Sequence, residues 1–481
     1  MLLLLVLIPL IGILIISLLP STVGSTVAKK VGLFFSLVDL WISVYLWGLL
    51  DSNNSSYQLV NSITNNNLYS ITLVVDGISI CFILLTTIIF PIALLSNWVN
   101  LNNSSVAVKY YVILMLLIES LLLLVFTVSD LILFYVFFES ILPPLFVLIG
   151  LYGSSQRIWA SFHLFLYTLL GSLFMLLSFL VIYFITGTTD FFILKDISLD
   201  LATQKIIWMG IFLALAIKTP LIPLHLWLPL AHAESPLGGS IILAGIVLKL
   251  SIYGVLRIIL PFLPEASIYF TPFVYTICVV TIIYASLTTL RQVDLKVIIA
   301  YSSIGHMAMC VIGAFSNNLQ GLAGSLFLSL AHGLVSPALF ICVGGILYDR
   351  THSRIINYYR GLGSYMPLFS IIFFIFSLCN IAVPFSANFV GEFLIISGAF
   401  QRLPVLTVLA CLSIVLSAAY GIWLYIRLIG GSYSPYLGVL EDLSKREFFL
   451  IVPLLFLTVI LGVKPDIILS TVFSSLTAIL Y

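Results

Sequence analysis

Long apolar runs separated by short polar links recur along this whole sequence. A helix needs roughly 20 mainly apolar residues to cross a hydrocarbon core of about 30 Å. Fourteen runs come close to that length: 1–20, 31–50, 71–96, 109–128, 130–152, 158–187, 203–230, 236–260, 268–289, 296–315, 321–348, 366–399, 404–429 and 447–464. In hydrocarbon every backbone N–H and C=O must be bonded within the protein, and a continuous apolar run achieves this as a helix. The polar–apolar alternation that marks a membrane barrel is missing. The predicted fold is therefore all-α and integral to a membrane, with about fourteen transmembrane helices. The first run has no basic leader and no small-residue cleavage pattern, so it reads as a span and not as a signal peptide. The longest polar link, Asp51 to Asn67, reads as an Asn- and Ser-rich loop. The tail after Pro465 reads as an interfacial amphipathic helix.

Two runs are predicted to break. Pro220, Pro223 and Pro229 crowd the seventh, and each removes the hydrogen bond to the carbonyl four residues earlier, on Ala216, Thr219 and His225. Pro384 does the same to Asn380 in the twelfth. Non-helical backbone at membrane depth survives only inside protein or beside a wet cavity. Interrupted helices in corresponding places point to an internal repeat. Spans four to eight and nine to thirteen each number five, and an odd number forces the second copy to be inverted. The expected organisation is spans one to three over 1–107, a first inverted repeat over 108–262, a second over 263–430, and the last span with its tail over 431–481. The competing reading is that proline is simply common in membrane helices.

Composition agrees: 62% of the 481 residues are hydrophobic and 8% charged, too few charges to cover a soluble chain. The net charge of +1 leaves no basic tract for nucleic acid. Of the lysines and arginines in links, twelve follow odd-numbered spans (Lys29, Lys30, Lys109, Arg157, Arg291, Lys296 and six more) and five follow even-numbered ones (Lys195, Lys205, Arg257, Arg402 and Lys464). By the positive-inside rule the richer side faces the cytoplasm or the mitochondrial matrix, and both termini lie opposite. The six cysteines stand far apart, as packing residues do, and offer no metal or iron–sulfur pair. No dinucleotide or phosphate-binding glycine motif occurs, so no cofactor is expected on this chain.

Two positive charges remain inside the runs, Lys218 and Lys249, together with Glu139 and Glu392. Each costs roughly 2.5–3.5 kcal/mol at a helix centre, so a functional role is the default reading. Static ion pairs would explain neutrality but not why charge lies in lipid at all. A dry ammonium surrenders its proton more readily, and a nearby carboxylate restores the charged form. Glu139 and Lys218 are predicted to form such a switch. Among histidines, which pass protons through two nitrogens, His225, His232, His306 and His332 are candidate relays, with packing the alternative for each. Asp76 reads as a helix N-cap, and Arg291, Asp294 and Lys296 as an anchoring link.

The runs IKTPLIPLHLWLPLAHAESPLGGSIILAGIVLKL, LRQVDLKVIIAYSSIGHM, LAHGLVSPALF and VPFSANFVGEF, with VDGISICFILLTT and FYVFFES before them, carry a resemblance over about residues 70–430. The chain resembles the antiporter-like proton-pumping subunits of respiratory NADH:ubiquinone oxidoreductase and of multisubunit cation/proton antiporters. Glu392, where other members carry lysine, is similar to one mitochondrial branch, and the Leu-, Ile-, Phe-, Tyr- and Asn-rich composition points to an AT-rich fungal organellar genome. The resemblance implies a hydrophilic mid-membrane axis, with Glu139 paired to Lys218, Lys249 and His332 linking half-channels, and Glu392 on the exit side. It implies a translocase subunit of the mitochondrial inner membrane with no redox site of its own. FMN, iron–sulfur clusters and ubiquinone would sit in partner subunits, and its neighbours would be other membrane-arm subunits, antiporter-like ones included, and lipid. The alternatives are a sodium/proton antiporter subunit and a membrane-arm subunit that no longer pumps. Pro143 and Pro144 after Glu139 depart from the common pattern, which bears on local geometry there.

Overall fold

The computed structural model describes residues 2–20, 25–65, 69–99, 105–438 and 440–480. Twelve helices among them are long and apolar enough to cross a membrane. The first run forms Leu2–Leu18, and the twelfth is divided into Pro367–Asn380 and Ala387–Arg402; Leu2–Leu18 and Pro367–Asn380 are apolar but shorter. Met1, and Asn66 and Asn67 of the expected loop, lie outside the described residues.

Several local expectations change. The link after the second span is not all loop: Gln58–Asn65 and Tyr69–Val75 pair as an antiparallel hairpin. The third helix consequently starts at Gly77 and not near residue 71, with Asp76 as its N-cap. The Asp76 carboxylate accepts from Ser79 N–H at 2.9 Å, while Ser79 Oγ receives the Asp76 N–H at 2.8 Å. The second helix, Ser25–Leu49, begins earlier than expected and takes in Lys29 and Lys30. Lys29 is buried, its Nζ donating to the Trp98 carbonyl at 2.6 Å. Arg257 is no loop cation either. It is buried within the Leu237–Phe262 helical segment and paired with Asp76 at 2.7 Å.

The chain forms two compact units. The first comprises Met1–Lys218, Leu250–Phe270 and Ser470–Tyr481. In it Leu2–Leu18, Ser25–Leu49, Gly77–Ser96 and Ser105–Thr127 pack on one another, and Phe82, Phe126 and Tyr253 meet at ring distances of 5.1–5.8 Å. The tail helix Asp466–Leu480 buries Val472, Ser475 and Leu476, a one-sided face as its sequence predicts.

The second unit comprises Thr219–Lys249 and Thr271–Leu469. Its tightest crossing joins Leu319–Phe340 to Ala387–Arg402. A Cβ on Gly391 would lie 2.7–2.8 Å from Leu328 backbone atoms, and one on Gly324 would lie 2.7 Å from the Ile395 nitrogen. Only glycine permits this approach, the usual device for close helix contact in lipid.

Both predicted breaks are present. Leu201–Lys218 stops at the lysine, and helix resumes at Trp227–Glu234. In the gap Ile222 N–H finds a side-chain acceptor, Thr281 Oγ1, at 3.1 Å. In the twelfth run Asn380 ends one helix and Ser386 caps the next, with Ala382 and Phe385 at φ of 62° and 73°. Non-glycine residues in that region cost of order 1–3 kcal/mol each and persist only where their surroundings enforce them. Three π-helical turns, Leu243–Val247, Val255–Ile259 and Ile341–Leu347, were not legible in the sequence.

Candidate functional site

Most of the candidate relay residues gather at two places, one in each unit. In the first unit Glu139 lies at the C-terminal end of Leu131–Ser140, just before the break that Pro143 and Pro144 impose at Ile141. Lys218 is the last residue of its helix and is 2% exposed. Neither its Nζ nor the Glu139 carboxylate oxygens have a hydrogen-bond partner among the described residues. The two groups lie close enough for each charge to act on the other, yet not in direct contact. Lys218 Nζ instead sits over the Phe138 ring, 4.5 Å from its centroid. The ring quadrupole holds the ammonium where no oxygen does.

The second unit contains a longer constellation. Lys249 is fully buried, and its Nζ lies 2.9 Å from His332 Nδ1 and 2.5 Å from the Ala244 carbonyl. Ala244 belongs to the π turn Leu243–Val247, so the lysine folds back on an irregular stretch of its own helix. Such turns recur at functional sites. The His332 and His306 rings stand 5.4 Å apart, centroid to centroid. His306 Nδ1 in turn lies 3.0 Å from Glu392 Oε1. Each histidine thus spends Nδ1 on a titratable neighbour, while its Nε2 is buried with no partner among the described residues. Lys249, His332, His306 and Glu392 form one buried array, none more than 5% exposed.

Two small cavities extend it. One of about 10 Å³, room for about one water, is lined by His306, Glu392, Ser286, Ser413, Ser417 and Tyr420. Another of about 20 Å³ is lined by Ser302, Ser377, Asn380 and, again, Tyr420. Tyr420 was not legible in the sequence as a member of this site. A lone tyrosine in a span gives no signal of its own, but Asn380, whose carbonyl Pro384 frees, could have drawn attention to this place.

His225 is buried but stands outside the array, whereas His232, also buried, lies close enough to Lys249 and His332 for their charges to act on it without a hydrogen bond to either. His225 packs against Tyr284 and Tyr301 at 5.7 and 6.0 Å, and His232 stacks on Phe340 at 4.7 Å. Their ring nitrogens have no hydrogen-bond partner among the described residues. The link near Asp294 is an anchor with more partners than expected. Arg354 reaches Glu234 at 3.2 Å, Asp294 at 3.6 Å and the Ala233 carbonyl. Lys296 is buried in the first turn of Leu295–Ala314 and donates to the Ser235 carbonyl at 3.0 Å, so it is not a solvated link cation.

Residues 128–417 match the family described as NADH:quinone oxidoreductase/Mrp antiporter, TM. The chain is similar along its length to proteins named NADH-ubiquinone oxidoreductase chain 4. It is 53% identical over 484 residues to that of Mycosarcoma maydis, covering 100% of this chain and 99% of the relative. It is 47% identical over 480 residues to that of Arabidopsis thaliana, covering 98% and 95%. The fold is similar to a chain of respiratory complex I from Thermus thermophilus with bound NADH, at a TM-score of 0.89, 27% identity and 100% coverage of both chains. It is also similar to a chain of the Mrp complex from Dietzia sp. DQ12-45-1b, at a TM-score of 0.87, 18% identity and coverage of 99% and 97%. Matched over more than half of its length, and to these relatives from end to end, the chain belongs to the NADH:quinone oxidoreductase/Mrp antiporter membrane family.

Proposed function

We infer that the chain is a proton-translocating membrane-arm subunit of an NADH:ubiquinone oxidoreductase. Electron transfer takes place on partner subunits holding FMN, iron–sulfur clusters and ubiquinone; this chain contributes the proton path and counts as a translocase subunit. The observation that carries this reading is the buried array Lys249–His332–His306–Glu392. Its geometry suits stepwise transfer. A proton leaving Lys249 is accepted at His332 Nδ1, and one leaves that ring at Nε2. It reaches His306 at Nε2 across a gap between the rings that no direct hydrogen bond spans, and departs from Nδ1 to Glu392. Each imidazole moves a proton across its ring by taking one nitrogen and giving up the other.

Glu139 and Lys218 form a second station. Because they are near but not in contact, the ammonium depends on whether Glu139 is ionised. The attraction between the two charges favours the ammonium, and it vanishes when the carboxylate is protonated. Loading Glu139 with a proton therefore pushes one off Lys218. The broken helices beside Lys218 and Glu392 support the assignment of 108–262 and 263–430 as inverted repeats. The chain sits in the mitochondrial inner membrane with both termini on the intermembrane-space side, the orientation that loop charge favours.

The sodium/proton antiporter reading has less support, because the Mrp likeness at 18% identity concerns the fold alone, whereas the close sequence relatives carry the oxidoreductase name. Lys218→Ala in the intact, reconstituted complex tests the proposal. Loss of proton uptake together with NADH:ubiquinone turnover is expected. Unchanged turnover and stoichiometry in an assembled complex would make the lysine structural.

A further inference from the structure

The segment matched to the family begins at residue 128, and the spans before it contain two acids the relay does not use. Asp39 lies near the middle of Ser25–Leu49 and Glu119 near the middle of Ser105–Thr127, two helices that pack together. Both residues are 0% exposed. All four carboxyl oxygens are buried with no hydrogen-bond partner among the described residues. The two side chains lie close enough for the charge of one to act on the other.

The cations nearby are engaged elsewhere. Lys29 donates to the Trp98 carbonyl, and Lys109 to the carbonyls of Leu19 and Pro20. Lys30 is exposed. On the neighbouring helices Cys81 donates to the Gly77 carbonyl, Tyr111 accepts from Asn97, and Tyr152 donates to the Ala107 carbonyl. Tyr45 and Tyr110 face outward, half exposed. Tyr135 and Glu139 lie on the helix beyond, where Lys218 is the cation acting on Glu139. Leu2–Leu18 carries no titratable side chain. One turn from Asp39, Ser43 and Thr87 bond to each other at 2.7 Å and offer the pair nothing.

We propose that Asp39 and Glu119 form a proton-binding carboxyl pair at membrane depth, both held as neutral acids at neutral pH and separate from the lysine–histidine relay. An ionised carboxylate removed from water survives only with a cation or several donors around it. Here neither acid has any among the described residues, and two adjacent anions would repel as well. The proton is the ligand that satisfies both groups. Such a pair stores protons until a cation or a chain of water reaches it.

Infrared difference spectroscopy on the intact complex tests this, comparing native protein with Glu119→Gln and with Asp39→Asn at neutral pH. The C=O stretch of protonated carboxyls reads the result. Each variant is expected to lose one such signal, while the signal of the other acid persists. Because an amide copies the shape and neutrality of a protonated carboxyl, both variants are expected to assemble and to keep NADH:ubiquinone turnover within about twofold of native. Absence of any loss in either variant would overturn the proposal, as would a carboxylate band that responds to sodium. Failure of both amide variants to assemble would overturn it too, since charge would then be required at these positions.

Discussion

Replacing Glu392 by glutamine removes one charge from the array and almost nothing else. In the native chain Oε1 lies 3.0 Å from His306 Nδ1, and neither residue is more than 5% exposed. A hydrogen bond to an ionised partner contributes about 1.5–3 kcal/mol, against about 1 kcal/mol between neutral groups. The substitution therefore weakens this link by about 0.5–2 kcal/mol. If a proton must pass through His306, that loss slows its passage by roughly 2- to 30-fold. The assay is paired: NADH:ubiquinone turnover and proton uptake into sealed vesicles, both on complex whose subunit content matches native. Turnover and uptake should fall together to about a tenth. Glu392→Asp keeps the charge but withdraws it by one methylene, and should retain more activity than the glutamine variant. Uptake lost while turnover persists would deny tight coupling but leave the relay in place. Native turnover and native proton stoichiometry in the glutamine variant would refute the reasoning, because the carboxylate would then lie off the path.

Other substitutions separate the array from its surroundings. His332→Gln should reduce proton uptake at least tenfold, while His225→Gln, outside the array, should leave it within about threefold of native in the same vesicle assay. Arg257→Gln leaves the Asp76 carboxylate buried beside a lost partner, a change that costs about 3–5 kcal/mol for a buried pair; thermal unfolding or the yield of assembled complex should report it. Gly391→Ala drives a methyl into the Leu328 backbone. Overpacking of this kind costs about 1–3 kcal/mol, and here it also separates the helices that carry His332 and Glu392, so uptake should fall more than assembly does. Phe138→Leu removes the ring under Lys218 and should lower turnover a few-fold, the loss of a desolvated cation–π contact worth up to about 2 kcal/mol.

The spans and both breaks were legible in the sequence because they rest on strong local signals. Twenty apolar residues have one low-energy state in lipid, and proline deletes a named hydrogen bond. The hairpin was hidden because its first strand is rich in Asn and Ser, residues that favour turns when read alone, and its second merges into an apolar run. The π turns gave no warning, since a single inserted residue in an apolar helix leaves composition unchanged. Charge was legible as presence and not as partnership. Lys218 and Lys249 look alike in the sequence, yet one rests on an aromatic ring and the other on a histidine and a carbonyl. Arg257 and Lys29 were misplaced because a cation near the end of a run can lie in a loop or turn inward, and only the tertiary partner decides which. Asp39 and Glu119 were overlooked although each is a single acid in an apolar run, the same signal that marked Glu139.

The cost of inserting an acid into a span is similar wherever it sits, so cost alone cannot separate a relay from a store. What separates them is the neighbour. Glu392 has an imidazole at hydrogen-bond distance and a cavity of about 10 Å³ beside it, so its proton has somewhere to go. Among the described residues Asp39 and Glu119 have only each other, so their protons are held there. A buried acid next to a base is therefore a step on a path, and a buried acid next to another acid keeps its proton until a cation or water reaches it.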